Sequence, residues 1–332
     1  MHPACHGASN GYVGDGAATW TGLLNAERDT WKGPCNQCPT SALYVPGNLK
    51  ACSHSHGEEE VLTRLLANAD GVMKRGGTFL EIGGGEGKAL SNTYFLESCL
   101  GWRGVLVEAN PFLAPQLCRN RPHALSFSFG VCPPPTTKMP FVVPKGKLKC
   151  FRNKKMGKTI CWESHREKKM SAWASGGNPE TREYRANLNM EHMNVSCAPL
   201  GGLLSTARVT HIDYFSLDVE GAEAVVMQTL DWSRLSMHVV QVEQSKDSIA
   251  KNGKVRAMLQ TRGFVHVYTH WYWAGHLGDE FFVNGTYLRR NLAAVAKAVK
   301  LGGNYIADIA ASPESVIERM VRAARSSALY LR

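Results

Sequence analysis

No apolar run in this 332-residue chain approaches the roughly 18 residues of a membrane-spanning helix, so no transmembrane segment is expected. A secretory leader would open with basic and then apolar residues, and MHPACHGASNGYVGDG has neither; on that pattern alone the chain reads as cytoplasmic. No internal repeat is evident, which argues against a solenoid or a propeller. The ten cysteines are scattered and form no dense disulfide framework. Ten cysteines with the sequons Asn194-Val195-Ser196 and Asn284-Gly285-Thr286 would equally suit the secretory pathway or Golgi lumen, so both compartments stay open. With 44% hydrophobic and 20% charged residues, the composition is that of a soluble globular protein. A chain this long buries roughly 75% of its unfolded surface.

The formal charge of +10 suggests nucleic acid until it is located. Between Lys138 and Arg185 there are 13 Lys or Arg against 4 Glu, and the rest of the chain is nearly neutral. A confined basic stretch of this kind reads as an insertion, over 133–190, that forms a solvated loop in preference to a nucleic-acid surface. Residues 1–57, rich in Gly, Asn, Pro, Cys and His, read as an irregular extension, 58–285 as the folded domain, and 286–332 as a C-terminal helical segment.

After an amphipathic helix in GEEEVLTRLLANADGVM, strands and helices alternate. Strands are expected at TFLEI, GVLVE, LSFSFGV, IDYFSLD, HVVQVE, FVHVY and FFVN, with helices over 89–100, 112–119, 200–206, 222–230 and 255–262. Alternation implies right-handed crossovers and a mostly parallel sheet covered on both faces, an open α/β sandwich. Ligands bind such sheets beyond the carboxyl ends of the strands. Glu81-Ile82-Gly83-Gly84-Gly85-Glu86-Gly87 follows the first of these strands. It fails the dinucleotide spacing, because Lys88 stands where the third glycine belongs, and it fails the P-loop, because Ala89 replaces Ser or Thr. What fits is acid-x-Gly-x-Gly-x-Gly, with a second acid, Glu108, at the end of the next strand.

The stretch TFLEIGGGEGKALSNTYFLESCLGWRGVLVEANP resembles the FkbM-type methyltransferases, and specifically their eukaryotic branch, through Ser91, Asn92, Thr93, Leu96, Glu97, Gly101, Trp102, Gly104, Glu108, Asn110 and Pro111. Asp218-x-Glu220-Gly221-x-Glu223, with Cys197-x-Pro199-Leu200 before it and Val242-Glu243 after it, is similar to the family's second landmark. The resemblance implies a class I methyltransferase fold, a Rossmann-like three-layer α/β sandwich with a mostly parallel sheet. It also implies S-adenosylmethionine as cofactor, with Glu81, Gly83, Gly85, Gly87, Asn92, Glu108 and Ala109 around it and Glu108 on the ribose hydroxyls. The acceptor it implies is a hydroxyl of a small molecule or glycan. The same branch also resembles Star, a trafficking factor of the animal secretory pathway, which leaves a non-catalytic reading open.

A strand that ends in Asp218, Glu220 and Glu223 around one glycine raises a question of charge, since clustered carboxylates repel one another. Asp218 and Glu220, with Glu243 from the adjacent strand, are read as the catalytic acids of the acceptor site, serving as base or as ligands of a divalent metal (Asp218, Glu243). Glu223 is read as the start of a helix, where a carboxylate complements the dipole. Two further groups are Cys35, Cys38, Cys52, His54 and His56, at loosely zinc-like spacing, and the aromatic run His270-Trp271-Tyr272-Trp273 with His276.

Overall fold

The structure, a computed structural model, describes residues 5–7, 58–67, 74–88, 90–144, 150–153, 158–161, 190–245, 249–272 and 277–291. The central elements follow one another in the expected alternation. β2 (Thr78–Ile82), α2 (Tyr94–Leu100), β3 (Arg103–Glu108), α3 (Ala114–Asn120) and β4 (Ala124–Ser128) form one half. α4 (Leu200–Thr206), β10 (His211–Leu217), α5 (Glu223–Gln228), β11 (Ser236–Ser245), α6 (Ile249–Gln260), β12 (Phe264–Tyr272), β13 (Leu277–Asn284) and α7 (Gly285–Arg290) form the other. A short β1 (Cys5–Gly7) and the helix α1 (Glu58–Leu65) precede them.

The main sheet has eight strands in the order β1-β4-β3-β2-β10-β11-β13-β12. All neighbours pair in parallel except β13, which lies antiparallel between β11 and β12. The winding reverses between β2 and β10, so a crevice opens beyond Ile82 and Leu217. Each face of the sheet carries a core. Leu80, Ile82, Val105, Phe215 and Val240 pack with α4, α5 and α6 residues such as Leu203, Val226 and Leu259. Phe79, Leu106, Tyr214 and Phe281 pack with Leu62, Leu65, Phe95, Leu96 and Leu288 from α1, α2 and α7. Each such side chain contributes roughly 1.5 to 3 kcal/mol when fully buried.

The family-like run around α2 has packing reasons. Gly101 takes a left-handed conformation (φ +65) and returns its N–H to Leu96 O, ending the helix. Trp102 follows it into the core with no exposure, and its indole N–H donates to Lys74 O at 2.7 Å. Asn110, also buried, accepts the Phe112 N–H on its side chain at 2.9 Å and so turns the chain into α3.

Several elements depart from expectation. LSFSFGV divides into β4 and a separate β5 (Gly130–Val131), which joins β9 (Met190–Ala198) and β6 (Lys138–Pro144) in a second sheet. β6 and β9 pair antiparallel from Lys138↔Ser196 to Pro144↔Met190, so the basic stretch leaves and re-enters the fold through a two-stranded ribbon. Within it β7 (Cys150–Asn153) pairs with β8 (Lys158–Cys161). α2 begins at Tyr94 and not near Ala89, because Ser91, Asn92 and Thr93 are engaged elsewhere. Three expectations lie outside the described residues: the Cys35, Cys38, Cys52, His54 and His56 group, the C-terminal segment beyond 291, and Trp273 with His276 of the aromatic run.

Candidate active site

The glycine turn is joined directly to the ends of two strands. Gly83 and Gly84 donate their N–H groups to Val107 O at 2.9 and 3.2 Å, and Asp218 N donates to Ile82 O at 3.1 Å. Gly83 has φ +90, and a Cβ there would stand 1.9 Å from the Asp218 carbonyl oxygen. Only a residue without a side chain lets the turn lie this close to the end of β10. Gly85 and Gly87 also take positive φ, of +58 and +91.

Glu108, buried at the end of β3, accepts Gly85 N at 2.6 Å and Asn110 N at 2.8 Å, one on each carboxylate oxygen. Glu108 thereby holds the glycine turn as well as facing the pocket above it. That pocket is lined by Gly83, Glu108, Ala109, Phe129, Gly130, Val131, Met139, Phe141, Asp218 and Ala222 among others. Its polar edge comes from the strand ends of the main sheet, and much of its apolar wall comes from the second sheet. Residues of the basic ribbon's base, Met139 and Phe141, therefore belong to the site, which their sequence neighbourhood did not suggest.

Glu81 and Asn92, expected at the cofactor, take part in a buried network beneath the turn. The Glu81 carboxylate accepts Ser91 Oγ at 2.8 Å, Asn92 N at 3.0 Å and Thr93 Oγ1 at 2.6 Å, while Asn92 Nδ2 donates to Ser216 Oγ at 3.0 Å. The counter-charge is Arg121, whose side chain has no exposure. Its Nε donates to Glu97 Oε2 at 2.8 Å, Nη1 to Ser91 Oγ at 2.9 Å and to Gly87 O at 3.2 Å, and Nη2 to Thr93 Oγ1 at 2.9 Å. The guanidinium also lies 5.2 Å from the Phe79 ring centroid. Sequence reasoning missed Arg121, which carries no motif signal; the orphan acids Glu81 and Glu97, both in buried elements, were the clue that a cation must join them.

Beyond Leu217 the chain presents the acids. Asp218, Glu220 and Glu243 each offer an oxygen within 4.8 Å of the others. Glu220 is held at φ +58, a left-handed conformation unusual for a residue with a side chain. Asp218 Oδ1 is buried without a hydrogen-bond partner. Burial, reinforced by the charges of Asp218 and Glu220, raises the Glu243 carboxyl well above the usual carboxylate range. Across the strand pair Glu243 faces Asp279, whose carboxyl is also raised, first by burial and then by Glu58. Glu223 is different: it opens α5, accepts Gly221 N at 2.9 Å and pairs with Lys251 Nζ at 2.8 Å. Burial lowers the Lys251 pKa, but the charge and hydrogen bond of Glu223, together with the charges of Glu243 and Glu220, outweigh it and the net shift is upward.

A sheet in this order, with a glycine turn after its first central strand, an acid after the next and a pocket over both, defines a class I S-adenosylmethionine-dependent methyltransferase. Residues 81–265 match the Methyltransferase FkbM domain. The match spans more than half of the chain and runs from Glu81 through Glu243, and the chain belongs to the FkbM methyltransferase family. No curated protein matches it in sequence. Among solved structures it is similar to fibrillarin from Aeropyrum pernix with bound S-adenosylmethionine, at 13% identity and TM-score 0.35, covering 69% of this chain and 74% of that one. It is also similar to a TehB-like S-adenosylmethionine-dependent methyltransferase from Corynebacterium glutamicum, at 10% identity and TM-score 0.31, covering 68% and 87%. A third, from Aquifex aeolicus, matches at 8% identity and TM-score 0.32, covering 73% and 99%.

Proposed function

We propose that the protein methylates a hydroxyl group, on a sugar or another small metabolite, with the acids after β10 and on β11 taking the proton. The observation that carries this reading is the convergence of Asp218, Glu220 and Glu243, of which Asp218 lines the pocket. Bound S-adenosylmethionine supplies an electrophilic methyl on a sulfonium sulfur. The residues present fit that group: Gly83 and the acid Glu108, the latter suited to ribose hydroxyls, line the pocket, and Phe129, Met139 and Phe141 give it an apolar wall. What remains for the chain is to orient the acceptor and remove its proton. A hydroxyl is a poor nucleophile until a base or a cation draws on that proton. Glu243, with its pKa raised by burial and by Asp218 and Glu220, is a stronger base than an ordinary carboxylate.

With labelled donor and a panel of sugar and small-molecule hydroxyl acceptors, Asp218→Asn is expected to lower kcat roughly 10²- to 10⁴-fold while donor binding persists. An unchanged rate would remove the assignment. The pH dependence has a definite sign. Glu243 must be ionised to accept a proton, so the rate falls as pH drops through its raised pKa. Glu220→Gln removes a like charge and moves that acidic limb to lower pH. If instead a divalent cation held by these acids activates the hydroxyl, chelation abolishes turnover and magnesium restores it.

We also infer an oxidising compartment. Among the described residues no cysteine is free; Cys99, Cys118, Cys132 and Cys197 are all in disulfides. The Cys132–Cys197 bridge, with a sequence separation of 65, ties β5 to β9 behind the pocket wall. Closing a loop of that length stabilises by about 4 kcal/mol in the chain-entropy account. Dithiothreitol is therefore expected to lower the urea midpoint and weaken donor binding together. Equal stability of the oxidised and reduced protein would count against the inference.

A further inference from the structure

A second cluster lies at the opposite end of β10 from Asp218. His211 and Asp213 stand at the start of that strand, and the register His211↔Ser236, Ile212↔Met237, Tyr214↔Val239 sets His238 of β11 beside Asp213. His211 Nε2 lies 3.3 Å and His238 Nδ1 3.0 Å from the same oxygen, Asp213 Oδ1. The carboxylate is oriented by Thr78, whose N–H and hydroxyl both donate to Oδ2, at 2.9 and 3.1 Å.

His211 Nδ1 lies 2.8 Å from Ser236 Oγ, a contact that orients the ring with Nε2 toward Asp213 Oδ1. One ligand atom each of His211, Asp213 and His238 lies within 4.8 Å of the other two. For a tetrahedral ion with bonds of about 2.0 to 2.1 Å, the ligand atoms stand roughly 3.3 Å apart. The observed separations suit it, and Ser236 is the kind of outer partner that orients a ligating imidazole.

We propose that His211 Nε2, His238 Nδ1 and Asp213 Oδ1 bind a zinc-class divalent cation, with the fourth position open to solvent. Two imidazoles and one carboxylate favour such an ion over magnesium or calcium. Both histidine side chains are about a third exposed, at 38% and 32%, which gives the ion an entry path. In the metal-free chain Lys74 is the cation: its ammonium sits 2.9 Å from both Asp213 oxygens, on a side chain 51% exposed that can swing away. The ion would staple β10 to β11 at the end of the sheet away from methyl transfer, and His238, stacked on Tyr287 at 4.2 Å, would extend the staple to α7.

The test is calorimetric titration of Zn²⁺ into chelator-stripped full-length protein beside the double variant His211→Gln/His238→Gln. The substituted side chains are partly exposed, and unchanged S-adenosylmethionine binding shows that the variant is folded. The wild type is expected to bind one more equivalent than the double variant, and cobalt substitution of that equivalent to give d–d bands without a thiolate charge-transfer band. Lys74→Met is expected to tighten binding roughly tenfold, because a competing charge is gone. Equal stoichiometry in wild type and double variant, no zinc in the wild type, or weaker binding in Lys74→Met each overturns the site.

Discussion

Gly83→Ala is expected to reduce S-adenosylmethionine affinity by at least about 100-fold, while its neighbour Gly84→Ala binds almost normally. The difference rests on one contact. At Gly83 the new methyl would stand 1.9 Å from the Asp218 carbonyl oxygen, which is backbone and cannot rotate away, and the φ of +90 is itself unfavourable for alanine. At Gly84 the nearest atoms are Leu117 Cδ1 at 3.4 Å and Leu106 Cδ2 at 3.7 Å, ordinary contacts with flexible side chains. Relief of the Gly83 clash must push the glycine turn away from β10. Val107 O and Glu108 hold that turn through Gly83, Gly84 and Gly85, so these hydrogen bonds are lost with it, and the pocket floor moves. Overpacking of this kind typically costs about 1 to 3 kcal/mol, and the backbone conformation adds to it. Calorimetry of donor binding and a urea midpoint measure the two parts separately. Equal donor affinities in the two variants would show that the turn does not need its close approach.

The contrast between these glycines also shows what a sequence conveys. Gly83, Gly85 and Gly87 were legible as a tight turn because few other tasks need three alternate glycines after a buried strand. Which of them is sterically required was not legible, since the crowding atom belongs to Asp218, 135 residues later. Glu81 shows the same limit at short range. As the acid that opens the motif it reads as a ligand of the cofactor, yet its oxygens receive Ser91, Asn92 and Thr93. The Ser-Asn-Thr run therefore delays α2 to Tyr94, against the helical pattern that its apolar spacing suggests from Ala89. The separation of Glu223 from Asp218 and Glu220 was legible, because an acid in a helix's first turn has a local reason to be there; Lys251, its partner from α6, was not. β6, KMPFVVP, reads as loop because it falls within the basic stretch, although it supplies pocket residues and contributes to a core of the second sheet.

Arg121→Met is expected to destabilise the fold by about 3 to 5 kcal/mol, the usual cost of leaving buried charges without their partner. The carboxylate of Glu97, at 2.8 Å, would lose its counter-charge, and that of Glu81, at 3.7 Å, would lose its nearest cation. The variant keeps much of the volume, so a loss on this scale would come from charge and hydrogen bonding rather than from a cavity. Arg121→Lys is expected to recover little, since one ammonium cannot reach Glu97 Oε2, Ser91 Oγ, Gly87 O and Thr93 Oγ1 in the planar arrangement the guanidinium spans. The discriminating double variant is Arg121→Met with Glu97→Gln. Neutralising the acid that Arg121 contacts most directly should return more than about 1 kcal/mol, whereas a role in packing alone predicts simple addition of the two losses. Donor affinity should fall in Arg121→Met even at temperatures where the protein stays folded. Arg121 donates to Gly87 O at the far end of the glycine turn, just as Asp218 crowds Gly83 at the near end, so the two residues fix that turn from opposite sides.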